Sequence, residues 1–415
     1  MIKNNYRLLL PAAAWPLLMA LSGCSLVEKA PKYGDLPPSS AFVQVPEDEF
    51  PAFDDLREKE TLLRSLKESL AYFRTQSDKR AAYTLGDERY TAEHMARSLE
   101  EFAKLYSSAQ TPEQLARELK KNFVLYKSVG SDGKGKVVYS SYYEPVLEAS
   151  PVKTGKYQHP IYRRPADLIQ VTLDDFNPDK WKGEQIYGRV ENDKLVPYFS
   201  RKEIDIDKAL AGRGLELAWF ERRFDIMDLH IEGSARLHFP DGTQYRARFA
   251  GTNSLKFRGP VTAMVEMGLI SRDEVSHERA KRYLDENKDT EPWLLATNKR
   301  YTFFTVEPLK DPENGPAGTM GRPLVGGRSI AIDRKYVPLG SLAFLKAPLP
   351  RIDEKGTLLG VAPHARFALC QDTGGAILGP GRVDYFSGTG DKAKTISTNT
   401  WGPGELYVLV MKLPD

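Results

Sequence analysis

The chain has 415 residues, with 59 Lys and Arg against 56 Asp and Glu and a net charge of +3. That length is ample for two domains. The near balance of charge excludes partners held by a broad basic surface, so no nucleic acid is expected, and no basic block marks a helix lying on a membrane.

The first element is a leader. Lys3 and Arg7 precede an apolar run from Leu8 to Leu21, which Pro11 and Pro16 interrupt and which is too short to span a bilayer. It ends in Leu21-Ser22-Gly23-Cys24, which resembles a bacterial lipobox. The resemblance implies a signal peptide over 1–23 and a lipid on Cys24, with Ser25 directing the protein to the periplasmic face of the outer membrane. A lipidated cysteine anchors without a spanning helix. Cys370 would then have no partner, so no intrachain disulfide is expected and the fold must stand on its core. Loss of the leader removes Lys3 and Arg7 and leaves 57 basic against 56 acidic residues. Residues 24–50 are rich in Pro and Ser and read as a tether.

Helical spacing begins at Leu56 and continues through Leu63, Leu66, Leu70 and Phe73. A second helix is predicted from Thr91 through Tyr106, with Met95, Leu99 and Phe102 on one face. A third starts at Thr111-Pro112-Glu113-Gln114, where Thr at the N-cap, Pro at the first position and Gln at the third form a capping box. Beyond Lys134 the texture is that of strands: "KVVYSSYYEPVLEAS", "QHPIYRRP", "DLIQVTL", and then short runs through "FDIMDLHIEGSARLHFPDGTQYRARFAGTN". Asp241-Gly242 between two alternating runs predicts a hairpin. A helical interlude follows from Pro260 to about Glu286, its second part opening on Ser271-Arg272-Asp273-Glu274 as a capping box. From Tyr301 the chain returns to short strands with glycine turns and no predicted helix, a pattern that suggests a closed barrel.

Three acids stand at strand ends in this last part. "ARFALCQD" alternates, so Ala368, Cys370 and Asp372 are expected on one face and Phe367, Leu369 and Gln371 on the other. Gly374, Gly375, Gly379 and Gly381 then make a tight return, and Asp384 enters the next strand. Asp333 closes "RSIAID". A single strand-end aspartate caps a turn or pairs with Arg328, Arg334 or Arg382 more readily than it does chemistry; three in one small barrel weaken that structural reading. No spacing of His or Cys marks a metal site, and neither a phosphate loop nor a Gly-x-Ser-x-Gly turn is present. No metal and no cofactor are expected.

"SIAIDRKYVPLGS", "DTGGAILGPGRVDYFSG" and "ELYVLVMK" resemble the three-aspartate (3D) domain of the membrane-bound lytic murein transglycosylase A (MltA) family. "SSYYEPVLEAS", "QHPIYRRP", "FDIMDLHIEGSARL" and "GTNSLKFRG" are similar to that family's larger module, and the resemblance covers about residues 85–415. It implies a mainly β fold with N-terminal helices: a double-psi β-barrel domain, residues 50–145 and 269–415 with the 3D region at about 311–415, a second β domain inserted at 146–268, and a groove between them. It also implies Asp384 as the catalytic acid, Asp372 as its support and Asp333 as a supporting or structural residue. Ser140, Tyr142, Tyr143, Glu232, Ser234, Gly374 and Gly375 match positions that face the glycan. Glu232 stands where Gln is usual, Ser140 where Thr is, and Phe257 where Tyr is.

The activity implied is a peptidoglycan lytic exotransglycosylase, a lyase without cofactor. It cuts the β-1,4 bond between N-acetylmuramic acid and N-acetylglucosamine, and the muramyl 6-hydroxyl closes a 1,6-anhydro ring. Asp384 must then begin protonated, above its ordinary pKa of about 3.9, as a desolvated rim or a nearby Asp372 would arrange. Two other readings stay open from the sequence. One is a β-1,4-glycan hydrolase that uses Asp372 and Asp384 as acid and base, with a water between carboxyls about 6.5–9.5 Å apart. The other is a peptidoglycan-binding lipoprotein with no catalysis.

Overall fold

A computed structural model describes residues 36–76, 82–181 and 185–413; Cys24, the leader and the first part of the expected tether lie outside the described residues. The central feature is a ring of six strands. In order around it run Gly402–Met411, Leu342–Ile352, Leu358–Asp372, Ser329–Ala331, Arg382–Thr389 and Val137–Glu144. The ring closes because the Gly402–Met411 strand also pairs with Val137–Glu144, Gly402 opposite Tyr139. Most neighbours are antiparallel, but Ser329–Ala331 runs parallel to Leu358–Asp372, and Arg382–Thr389 parallel to Val137–Glu144. Closure leaves no open edge within the ring. Phe123–Ser128 pairs outside it with Gly402–Met411, and Phe42–Gln44 pairs in turn with Phe123–Ser128. Ala41, Phe42 and Val45 are buried, so the expected tether ends before residue 41, where apolar side chains begin to find the core.

The N-terminal helices lie as predicted. Lys59–Thr75 buries Leu62, Leu66 and Phe73. Ala92–Ser108 starts at Thr91, whose hydroxyl accepts from the His94 N–H. In Pro112–Asn122 the Thr111 hydroxyl accepts from Gln114 N–H, and the Gln114 side chain reaches back to the N–H of Gln110, one residue before the cap. Two polar contacts dock this layer on the barrel. Arg328, fully buried, pairs with Asp55 at 2.5 Å, and Gln371 donates to the Ser65 carbonyl and the Ser69 hydroxyl. A buried charge is tolerated only when paired and hydrogen-bonded in this way.

Between Glu144 and Ser329 the chain builds separate layers. Thr302–Pro308, Gln244–Thr252, Ser234–His238 and Val146–Glu148 form one sheet. Its hairpin turns at Asp241-Gly242 as expected, Gly242 at φ 83°. Thr302–Pro308 lies in this sheet, so the sheet extends past the boundary at 268 read from the sequence. Ile161, Phe220, Leu229, Leu237 and Phe304 make a core distinct from that of the barrel.

Three local expectations are corrected. "FDIMDLHIE" is not strand but the helix Arg223–Glu232, ended by Gly233 at φ 81°. Phe224, Met227 and the neighbouring Ile226 and Leu229 are buried against two different layers, so its apolar residues run round the helix and mimic a strand's pattern. Ser271 caps only a short turn, and the true cap is Ser276, whose hydroxyl accepts from Arg279 N–H to start His277–Glu286. A helix, Asp391–Thr398, also interrupts the barrel strands.

Candidate active site

The alternation expected in "ARFALCQD" breaks at its end. Ser329 lies opposite Leu369 and Ile330 opposite Cys370, but Ala331 lies opposite Asp372, so the register slips by one at Gln371. A bulge re-aims the side chain that follows it. Asp372 therefore leaves the face of Cys370 and joins that of Ala331, whose other partner is Asp384. Cross-strand partners share a face, and Asp384 is in turn opposite Ser140 on Val137–Glu144. Ser140, Asp384, Ala331 and Asp372 thus stand in one row across four strands, with Tyr142 two residues along. The residue between the two acids is alanine, so no large side chain divides them.

The three aspartates have different surroundings. Asp384 Oδ1 accepts from the Ser140 hydroxyl at 2.6 Å, and that hydroxyl oxygen accepts from Arg382 Nη2 at 2.9 Å. Oδ2 has no hydrogen-bond partner among the described residues. Loss of hydration pushes the Asp384 carboxyl up to about 6; the Asp372 charge adds to this, while the Ser140 bond and Arg382 work against it. Asp372 has the opposite setting. Its Oδ2 accepts from Tyr142 Oη at 2.8 Å, and its Oδ1 from Thr319 N–H at 2.9 Å, Thr319 Oγ1 at 2.8 Å and Thr373 N–H at 2.9 Å. Four donors suit a carboxylate that only accepts. Asp333 holds the loop: Oδ1 accepts from Lys335 N–H at 3.0 Å and Oδ2 from Gly379 N–H at 2.8 Å.

The glycines of the return have definite tasks. Gly379 sits at φ 82°, which an L side chain rarely adopts, and so aims its N–H at Asp333. A β-carbon on Gly381 would lie 2.2 Å from Ser131 N, because the return passes against the 130–131 backbone.

Glu232 ends the helix Arg223–Glu232, and its Oε2 accepts from Tyr143 N–H at 3.1 Å. Burial raises its carboxyl well above the ordinary range, with Asp228 and Asp384 pushing the same way. The Tyr142 and Tyr143 hydroxyls are also raised by burial, which keeps them protonated. Glu232 is therefore brought to the strand that carries Ser140 and Tyr142, rather than left as a surface acid. Ser234 is buried at the start of its strand, with no hydrogen bond to the acids among the described residues. Gly374 and Gly375 form the loop directly after Asp372. Arg328 does not serve the acids, being taken by Asp55. Sequence reasoning missed Thr319, which has no motif of its own, and treated Arg382 only as a salt-bridge partner, although its place two residues before Asp384 puts it on the same face.

A family model described as "MltA specific insert domain" matches residues 138–305, and one described as "3D domain" matches residues 328–410. Together they take in more than half of the chain. The chain belongs to the MltA family. It is 26% identical over 269 residues to the membrane-bound lytic murein transglycosylase A of Escherichia coli K12, a match covering 64% of this chain and 63% of that relative's length. Among solved structures, a membrane-bound lytic murein transglycosylase from Agrobacterium tumefaciens is similar over 89% of this chain and 98% of its own, at 28% identity and a TM-score of 0.71. An E. coli MltA with bound chitohexaose is similar over 90% of this chain and 95% of its own, at 21% identity and a TM-score of 0.66, a likeness of fold. The mainly β fold with a closed six-strand barrel is thus that of the MltA structures.

Proposed function

We propose that this MltA-family chain is a peptidoglycan lytic transglycosylase in which Asp384 is both the acid and the base. The observation that carries the reading is the contrast between two carboxyls on one face: Asp384, raised to about 6 with no partner for Oδ2 among the described residues, and Asp372, held by four donors. Protonated Asp384 hands its proton to the glycosidic oxygen as the bond to the muramyl anomeric carbon breaks. The carboxylate so formed takes the proton of the muramyl 6-hydroxyl as that oxygen attacks the same carbon. The proton lost in the first step is regained in the second, and no water is consumed. Asp372 supplies fixed negative charge for the oxocarbenium-like intermediate. Three donors on Oδ1 and the Tyr142 hydroxyl on Oδ2 stabilise its charged form, which makes it a weaker base for water and weighs against the two-aspartate hydrolase. The raised Asp384 weighs against a groove that only binds.

The finer architecture belongs to the same proposal. The mixed parallel and antiparallel ring is read as a double-psi barrel. The layers from Val146 to Pro308 are read as the inserted module, its end moved from 268 by the pairing of Thr302–Pro308 with Gln244–Thr252. The groove between them takes a glycan strand, a reading that the names of the relatives and the chitohexaose bound to E. coli MltA support. Digestion of purified sacculi followed by mass spectrometry of the products tests the function. Anhydro ends are expected; ordinary reducing ends would move the protein to the hydrolases, and no release would make it a binder.

The rate should follow the protonated fraction of Asp384. Its pKa is raised, so the active form predominates below about pH 6, and above that kcat/KM should fall about tenfold per pH unit. A profile flat to pH 8 would remove Asp384 from the acid role. Glu232→Gln should keep turnover within about twofold, because a carboxyl held protonated by burial already resembles an amide and the Tyr143 N–H keeps its acceptor. Collapse of activity in a folded variant would give Glu232 a proton-transfer role. At the other end of the chain we propose an outer-membrane lipid anchor on Cys24. Cys24→Ala should lose incorporation of a fatty-acid probe, and equal labelling of variant and wild type would exclude the anchor. No helix among the described residues is long and apolar enough to cross a membrane.

A further inference from the structure

Most arginines near the barrel have an acid or are tied into a network. Arg328 has Asp55, Arg366 has Glu58, and Arg236 and Arg246 share Glu144. Arg300 is different. It is part-buried at the end of the segment that precedes Thr302–Pro308. Its Nε donates to the Leu255 carbonyl at 2.9 Å, which fixes the plane of the guanidinium, but neither Nη1 nor Nη2 has a hydrogen-bond or ion-pair partner among the described residues. The point a β-carbon would occupy on Gly375 lies 3.5 Å from Nη1. Gly375 is three residues past Asp372, so a cation from the module outside the barrel reaches over the loop that joins the two catalytic strands. Burial lowers the guanidinium's pKa.

We propose that Arg300 is a specificity-determining residue that binds a carboxylate carried by the glycan beside the scissile bond. The inference rests on the reading of the groove as a murein site. N-Acetylmuramic acid differs from N-acetylglucosamine by a lactyl ether, which carries a free carboxylate when the peptide is removed and an amide when it is present, in which case the acids lie further out along the stem. Two parallel N–H donors on a fixed plane match a carboxylate in a bidentate pair. Glycine at 375 leaves the approach open. A neutral chitin-type chain offers this fork nothing, so Arg300 separates acidic from neutral β-1,4 glycans of the same backbone shape.

The test uses binding in the Asp384→Asn background, where the glycan is not consumed. Three ligands are compared by calorimetry at low salt: peptide-free murein strands with free lactyl carboxylates, intact peptide-bearing strands, and N-acetylglucosamine hexamer. Adding Arg300→Gln should weaken one of the two acidic ligands about tenfold or more, the size of a lost charge-assisted bond, and leave the hexamer unchanged. Loss confined to the peptide-free strands names the lactyl group as the source of the carboxylate, and loss confined to the intact strands names the stem. Arg300→Lys should fall between, keeping the charge without the fork. Equal weakening of all three ligands, or of none, overturns the inference while leaving the groove a glycan site. Failure of every ligand to bind overturns the reading of the groove and the inference with it. Amidation of the carboxylates on whichever strand shows the loss should abolish the difference between arginine and glutamine; a difference that survives amidation overturns the inference.

Discussion

Asp384→Asn is expected to abolish release of 1,6-anhydro products, a loss of at least about a thousandfold, while glycan binding stays near the wild-type value. The amide fills the same space and can still accept from Ser140 at the position now 2.6 Å away. It can neither give the acid proton nor take the one from the 6-hydroxyl. General acid–base assistance is worth about a hundred- to ten-thousandfold per role, and here one residue holds both. The variant should also show a signature in stability. The folded state raises the carboxyl to about 6 from its ordinary value of 3.8, so the fold favours the protonated form. The stabilisation is fully present below the unfolded value and is lost as pH rises through about 6. Asparagine does not ionise, so the variant's Tm should match the wild type's at pH 4 and equal or exceed it at pH 8. Anhydro products persisting from the variant would exclude Asp384 from the chemistry. A variant less stable than wild type at pH 8 alone would exclude the desolvated setting described for it.

The second large effect lies at Glu144. This residue ends the strand that carries Ser140 and is fully buried. Arg236 Nε lies 3.0 Å from Oε2, Arg246 Nε lies 2.6 Å from Oε1, and Thr389 Oγ1 donates to Oε2 at 2.9 Å. Both arginines belong to the sheet outside the barrel and are themselves largely buried, while Thr389 ends the strand of Asp384. Glu144→Ala would leave two cations packed together without their anion. Breaking a buried pair from one side costs about 3–5 kcal/mol, enough to lower Tm by roughly 10 °C in a domain of this size. Replacing both arginines by methionine in the same background should recover part of the loss, because the orphaned charges are then gone. Thermal unfolding followed by circular dichroism checks both variants. A Tm within 2 °C of wild type for Glu144→Ala would mean that the carboxylate holds nothing together.

The sequence spoke clearly where the physics is local. Thr111-Pro112-Glu113-Gln114 announces its helix because the cap and the first turn are adjacent in the chain. Asp241-Gly242 announces its hairpin for the same reason. The three aspartates were visible as strand ends in a glycine-rich setting. Their different surroundings were not, since these depend on donors far away in sequence: Ser140 reaches Asp384 across 244 positions, Tyr142 reaches Asp372 across 230, and Thr319 arrives from a loop without regular structure. The slip at Gln371 also left no mark, because Cys370, Gln371 and the residues before them are all buried and so carry no alternation of polarity to read. The helix Arg223–Glu232 was hidden by burial on more than one side, and with it the approach of Glu232 to Tyr143.

The way the ring is closed sets a time order on the appearance of chemistry. Val137–Glu144 is made early, Arg382–Thr389 much later, and the strand that seals the two ends, Gly402–Met411, comes last of the six. A chain synthesised from its N-terminus holds Ser140 and Tyr142 long before Asp372 and Asp384 exist. Even when both acids have emerged, the barrel stays open until the final strand joins Leu342–Ile352 to Val137–Glu144. Pairings of such long sequence separation form slowly and only once the loop entropy has been overcome. A nascent or interrupted chain cut between Asp384 and residue 402 is therefore latent by topology: it carries every side chain of the site and no assembled place to use them.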